Sequence, residues 1–251
     1  MVSSLLRALL PNSWYASLQE NKRRLCGEYA ASSFSQEGED LVLARLFEGK
    51  ANGFYVDVGA FHPIKYSNTY RFYRLGWHGI NIDAMPGSMT LFKKWRPRDV
   101  NLEAAIAEKE GNLVYHAFAE AALNGFSQEL SERRIANGSR LLFRREVPAR
   151  TLASVLEAEL PPATAIDFLS VDVEGLDLPV LRSNDWNRFR PAVVLVESLH
   201  LGLEDIAGTE VARFMASQRY RLVAKTVNTL FFAAEESAGK LPGLAVGEGR
   251  G

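Results

Sequence analysis

Short apolar runs alternate along this chain with longer stretches in which apolar and polar positions mix at helical spacing. That alternation predicts βαβ units and a mostly parallel sheet. Gly53 to Val58 (GFYVDV) is expected to be a first strand, Trp77 to Asp83 a second, and Val100 to Ala104 a short third. Ile166 to Val173 (IDFLSVDV) and Ala192 to Val196 (AVVLV) are continuous apolar runs, each with an acid at or just after its end. They fit strands buried on both faces. Tyr220 to Ala224 and Thr229 to Ala233 flank a short Thr-Val-Asn connection and predict an antiparallel pair at the sheet edge. Helical spacing covers Glu37 to Phe47, Met89 to Trp95, Leu152 to Glu159 and Glu204 to Ser217.

The expected fold is therefore α/β and Rossmann-like: a mostly parallel seven-stranded sheet with a C-terminal antiparallel pair and helices on both faces. Residues 1–32 are expected to be a helical extension, 33–236 the main domain and 237–251 a flexible Gly-rich tail. Phe118 to Arg145 fits the alternation poorly. It carries Asn124-Gly125, Asn137-Gly138 and five arginines, Arg133, Arg134, Arg140, Arg144 and Arg145. It predicts either a substrate cap over the carboxyl edge of the sheet or a solvated excursion.

Composition narrows the class. The 251 residues are 47% hydrophobic and 24% charged, ordinary for a globular chain. A formal net charge of −1 supplies no global field for nucleic acid or an anionic membrane. The single cysteine, Cys26, cannot form an intramolecular disulfide, as expected of a cytoplasmic protein. The apolar start (VSSLLRALL) is interrupted by Arg7 and is shorter than a membrane span. It suits an amphipathic helix that packs on the domain, on a second subunit of a homo-oligomer, or weakly on a membrane surface.

Ligands of an open parallel sheet bind beyond the carboxyl ends of its strands. Here those ends carry Asp57-Val58-Gly59, Asp83, Glu103, Asp172-Val173-Glu174-Gly175 and Glu197-Ser198. Burying a carboxylate is costly without a partner, so acids at five strand ends favour a ligand site. The first loop, Asp57-Val-Gly59-Ala60-Phe-His62-Pro63, lacks the Gly-x-Gly-x-x-Gly of a dinucleotide site, which counts against an NAD-dependent dehydrogenase. Asp83 stands where an acid can hold ribose hydroxyls.

Several ordered blocks resemble one family, the FkbM-type methyltransferases, over roughly 34–233. They are Ser33 to Asp40 (SFSQEGED), Tyr55 to Ala60 (YVDVGA), Tyr66 to Tyr70 (YSNTY), Gly76 to Gly79 (GWHG), Asn81 to Pro86 (NIDAMP), Thr151-Leu152, Asp167 to Gly175 (DFLSVDVEG) and Val196-Glu197. The resemblance implies S-adenosylmethionine as donor and a hydroxyl acceptor, commonly on a sugar, glycan or natural product. It implies that Asp57 and Gly59 line the amino acid end of the donor, Asp83 its ribose, and Glu103 with Ala104 its adenine. Gln36, Glu39, Ser67, Asn68 and Asp172 are implied as further pocket residues. His62-Pro63 departs from the family's glycine-containing turn. So does Asp83-Ala84-Met85-Pro86, where many members carry Glu before Pro.

A sugar hydroxyl needs a general base or a metal before it attacks. Asp172, Glu174, Glu197 and His200 are the candidates by position. Either Glu174 or His200 takes the proton directly, or Asp172 and Glu197 hold Mg²⁺ or another divalent cation. Asp172 and Glu174 could instead cap a helix start with Gly175. His62, His78 and His116 read as structural, and no stacking residue is assignable among the aromatics. Methylation of a protein or lipid, or a non-catalytic binding module on the same fold, are the competing functions.

Overall fold

The structure, a computed structural model, describes residues 11–25, 30–120, 123–173, 175–199 and 201–244; side chains 12, 19 and 22–25 are not described. Cys26, Glu174 and His200 thus lie outside the described residues, as does the tail from residue 245 onwards. The chain divides into two compact units, Met1–Ser33 and Phe34–Gly251. The first contains α1 (Asn12–Leu25), in which Trp14 and Leu18 are exposed.

The second unit contains a seven-stranded sheet of order β3-β2-β1-β7-β8-β10-β9. Its strands are β1 (Phe54–Val58), β2 (His78–Asp83), β3 (Val100–Glu103), β7 (Phe168–Val171), β8 (Val193–Glu197), β9 (Tyr220–Lys225) and β10 (Thr229–Ala234). The first five run parallel, and β10 is antiparallel to both its neighbours. This is the expected Rossmann-like sheet, with strand limits within one or two residues of the apolar runs. The order reverses between β1 and β7, which places the switch point there.

Period-two alternation divides the sheet's side chains between two cores. Val56, Val58, Ile80, Ile82, Leu169, Val171, Val194 and Val196 pack on one face. That face is covered by α6 (Leu152–Glu159), α7 (Asp177–Arg182) and α8 (Glu210–Ser217), through Leu152, Val155, Leu181 and Met215. Tyr55, Phe168, Leu195 and Phe231 point the other way, toward α2 (Glu39–Leu46) and α3 (Tyr70–Arg74). There Phe72 meets Trp77 and Phe168 at ring separations of 4.8 and 5.0 Å.

Two expected helices are shorter than their periodicity. The run Glu37 to Phe47 becomes helical only at Glu39, because Gly38 adopts a left-handed φ of 91°. Likewise Glu204 to Ser217 resolves into a 3₁₀ turn (Ile206–Gly208) and α8, whose start Thr209 caps through a bond from the Ala212 N–H. Met89–Trp95, now α4, and Leu152–Glu159 match their expected limits.

The segment that resisted the alternation belongs to a second sheet of order β4-β6-β5. Here β5 (Gly111–Phe118) and β6 (Leu141–Arg150) form a long antiparallel ribbon, and β4 (Ala105–Ile106) pairs parallel with β6. Between the ribbon strands runs α5 (Gln128–Ala136). Residues Leu142 to Glu146 of β6 are all exposed, so no buried face imposes alternation on them, and the pattern does not read as a strand. Among the described residues no helix is long and apolar enough to cross a membrane.

Beneath the parallel strands lies a buried polar network. Arg96, fully buried, donates from Nε to Asp99 (2.7 Å), from Nη1 to the Thr69 hydroxyl (2.8 Å) and from Nη2 to the Tyr55 hydroxyl (2.8 Å). Asp99 also accepts from the Gly79 N–H, Asn81 Nδ2 and the Tyr55 hydroxyl. Removing one partner of a buried ion pair leaves an uncompensated charge. Arg96→Met should therefore destabilise the protein by about 3–5 kcal/mol in urea unfolding. Adding Asp99→Asn should recover part of that loss.

Candidate functional site

The carboxyl ends of β1 and β7 meet at a glycine. Gly59 has φ 86°, and its N–H donates to the Ile82 carbonyl at 2.9 Å. A Cβ at Gly59 would sit 1.7 Å from the Asp172 carbonyl oxygen. Only glycine permits both the left-handed backbone and this approach.

The following loop is held at defined points. The Phe61 N–H donates to Asp83 Oδ2 (2.9 Å), while Asp83 Oδ1 accepts from the Met85 N–H (2.7 Å). Burial raises the Asp83 pKa, and those two N–H donors oppose the rise. His62 Nδ1 accepts from the Ile64 and Lys65 N–H groups at 3.1 and 3.0 Å. Burial, aided by the Lys65 charge, lowers the His62 pKa, which keeps that nitrogen an acceptor. His62 thus shapes the turn at which this chain departs from the glycine-containing one that the resemblance implies. Phe61 (φ 51°) and Tyr66 (φ 58°) both hold left-handed backbone, an expensive state for aromatic residues.

Around this point opens a cavity of ≈ 580 Å³, within the usual range for small-molecule sites. Of the residues expected at the site, Gln36, Gly59, Asp83, Ala104, Asp172 and Glu197 line it. A smaller recess of ≈ 20 Å³ adjoins it. Gln36, Tyr66, Asp172 and Glu197 border both spaces, and Glu39, Asn68, Glu37, Asn228 and Thr229 complete the recess.

Three of the expected residues that the structure describes line neither space. Asp57 is buried beneath the loop and accepts from the Thr69 hydroxyl at 3.1 Å, joining it to the Arg96 network. Ser67 is buried and accepts from the Tyr70 N–H and Arg96. Glu103 is exposed and accepts from the Gly87 N–H at 2.7 Å. Glu39 is also engaged: it accepts from the Glu37 N–H and the hydroxyls of Thr226 and Thr229, which ties α2 to the β9–β10 connection. The turn after Asp172 is held by Asp177, which accepts from the Val173 and Gly175 N–H groups.

Residue reading alone missed much of the opposite wall. Met85, Ala105, Ile106 and Leu176 give it apolar surface, and Tyr115, Asn124, Gly125 and Phe126 arrive from the second sheet and its connection. Asn124-Gly125 was legible as a turn, but nothing local showed that it faces a cavity. Phe61 and Leu199 carried no linear signal either, and Tyr66 stood out only as the first residue of the Tyr66 to Tyr70 block. Among the described residues no group of three or more His, Cys, Asp or Glu side chains is placed to hold a metal.

A doubly wound sheet with acids and apolar walls around a cleft at its switch point defines a small-molecule-binding α/β enzyme of the Rossmann-like class. Residues 57–222 match the sequence profile of the methyltransferase FkbM domain; the chain belongs to that family and is a methyltransferase. No curated protein matches the chain. Among solved structures, a TehB-like SAM-dependent methyltransferase from Corynebacterium glutamicum is similar at 10% identity and a TM-score of 0.39. That match covers 89% of this chain and 100% of the other.

Burial pushes the Asp57 pKa up from 3.8 to about 6, against the opposing pull of the Arg96 charge and the Thr69 hydroxyl. The fold thus favours the protonated form. That stabilisation is complete below the ordinary carboxylate range and is lost as pH rises through about 6. Asp57→Asn, which keeps the shape and the acceptor, should be more stable than the parent by up to about 3 kcal/mol above pH 6. The two should converge below pH 4 in pH-dependent urea unfolding.

Proposed function

We propose that the protein transfers a methyl group from S-adenosylmethionine to a hydroxyl, with a sugar or sugar-bearing natural product as acceptor. The observation that carries this reading is one cleft that joins Asp83, the apolar wall Met85–Ala104–Ala105–Ile106 and the acidic pair Asp172 and Glu197. Bound there, S-adenosylmethionine would supply an electrophilic methyl group on a sulfonium.

The residues present suit such a donor. Each Asp83 oxygen already accepts one backbone N–H and retains capacity for a ribose hydroxyl. Ala84, Met85, Ala104 and Ile106 offer flat apolar surface for an adenine. The amino acid end then falls near Gly59, where the side-chain-free backbone leaves room. Asp57 contributes from below that loop as a buried anion at neutral pH, not by lining the cleft.

Asp172 and Glu197 are the acids that border both the cleft and the recess. One of them would accept the proton from the acceptor hydroxyl as its oxygen takes the methyl group and the methyl–sulfur bond breaks, the donor leaving as a neutral thioether, and both would balance the sulfonium charge before transfer. Glu174 and His200 remain candidates from position in the chain alone. A divalent cation held by Asp172 and Glu197 is the other route to an activated hydroxyl, and a chelator assay decides between them. The cleft walls from the second sheet exclude water and orient the reactants, where much of the rate gain of methyl transfer arises.

Calorimetry should show binding of S-adenosylmethionine and of its demethylated product. Asp83→Ala should weaken both at least tenfold while the protein still folds, with a lowered unfolding midpoint because the Phe61 and Met85 N–H groups lose their acceptor. Unchanged affinity would place the ribose elsewhere. With labelled donor and a panel of sugars, Glu197→Gln or Asp172→Asn should lower kcat by roughly 10²–10⁴ while donor affinity falls far less. Full activity in both variants would remove these carboxylates from proton transfer.

A further inference from the structure

Glu197 is the last residue of β8 and borders both the cleft and the recess. Period-two alternation puts it on the face of Val193 and Leu195, the face that α2 covers. Its direct partner across the antiparallel ladder is Thr229, the first residue of β10. The backbone around that pair is gripped by two acids from the other end of the chain.

Those acids are Glu37 and Glu39. Glu37 accepts twice from one residue: Oε2 takes the Asn228 N–H at 2.8 Å, and Oε1 takes the Asn228 Nδ2 at 2.6 Å. The Asn228 carbonyl in turn accepts the Ser198 N–H at 2.6 Å. Hydrogen bonds thus run without a break from Glu37 to the residue beside Glu197. Glu39 Oε1 accepts from the hydroxyls of Thr226 and Thr229 at 3.1 and 3.2 Å, and its Oε2 accepts from the Glu37 N–H at 2.8 Å. Gly38, left-handed at φ 91°, lets two side chains so close in sequence reach the same turn.

The β9–β10 hairpin closes by itself, through the Thr226 N–H on the Thr229 carbonyl at 2.9 Å. It does not need two distant carboxylates to form. Glu37 and Glu39 also share the recess with Asp172 and Glu197, and like charges brought together cost stability. A fold carries such a cost where the groups fix something that function requires. Here the fixed element is the end of β8. Glu197 is a long side chain, and displacing a reacting group by about 1 Å can cost 10²-fold in rate.

We propose that Glu37 is a positioning residue: through Asn228 it fixes the end of β8 so that Glu197 faces the acceptor hydroxyl. Glu197 receives the hydroxyl proton as the acceptor oxygen takes the methyl group and the methyl–sulfur bond breaks. Glu37 acts through the backbone and not on the reactants. This rests on the hydroxyl-methylation reading above and deepens it by choosing Glu197 as the base.

A side-chain exchange in the full-length protein tests this. Glu37→Gln and Asn228→Asp each remove one of the two bonds, whereas Glu37→Gln/Asn228→Asp restores both with amide and carboxylate exchanged. Kinetics use labelled donor and the sugar of the panel that is methylated fastest. Either single variant should lower kcat at least tenfold, while KM for the sugar and the calorimetric Kd of the demethylated donor stay within about twofold. The exchanged pair should recover kcat to within about threefold of the parent. In a Glu197→Gln background, adding Glu37→Gln should cost less than about twofold more, because the clamp acts through the lost carboxylate. Amide hydrogen exchange at Ser198 should quicken in the single variants and slow again in the exchanged pair. The proposal is overturned if either single variant keeps full kcat per folded molecule, or if the exchanged pair recovers none. It is equally overturned if Glu37→Gln costs as much in the Glu197→Gln background as in the parent. Failure of the methylation reading looks different: the parent methylates no sugar of the panel, while the Ser198 exchange pattern is unaltered.

Discussion

The contact of Gly59 with the Asp172 carbonyl holds this structure's chemistry in one place. Two strands distant in the chain end side by side at the point where the sheet reverses, and the backbone between them must turn left-handed in almost no space. A side chain there would force the ends of β1 and β7 apart. With glycine, the chain passes the end of β7 and Asp83 can bond the Phe61 N–H of the loop that follows. The cleft, the left-handed Phe61 and Tyr66 and the acid pair are all arranged around that approach.

A second constraint operates under the loop. The same alternation that buries Val56 and Val58 on one face turns Tyr55 and Asp57 to the other, toward Arg96. Thr69 bridges them, accepting from Arg96 and donating to Asp57. The network thereby couples the sheet interior to a carboxylate below the loop that follows β1. Burial drives the Asp57 pKa to about 6, so at neutral pH the fold keeps an anion there at a cost in stability. Such a cost is common where a binding site and the core share a residue.

Much of the fold was legible because buried parallel strands are apolar runs and their ends are punctuated by acids and glycine. The strands around Val56, Ile80, Leu169 and Val194, and the helices at Met89 and Leu152, follow directly. The family resemblance rested on the same blocks. The second sheet was not legible. Its strand β6 carries Leu142, Phe143, Arg144, Arg145 and Glu146 in a wholly exposed row, and its pairing with β4 and β5 is set by contacts distant in sequence. The walls it supplies, Tyr115 and Asn124 to Phe126, were invisible for that reason.

The sequence by itself determined that acids would stand at the ends of the strands, since polarity and run length are local properties. Tertiary structure alone decided which of those acids face the cleft. Asp83, Asp172 and Glu197 border the cleft, Asp57 turns inward to Thr69, and Glu103 turns outward to the Gly87 N–H. The physical reason is that a strand-end carboxylate goes wherever a donor can satisfy it. Those donors come from loops, helices and a second sheet that only the folded chain brings near.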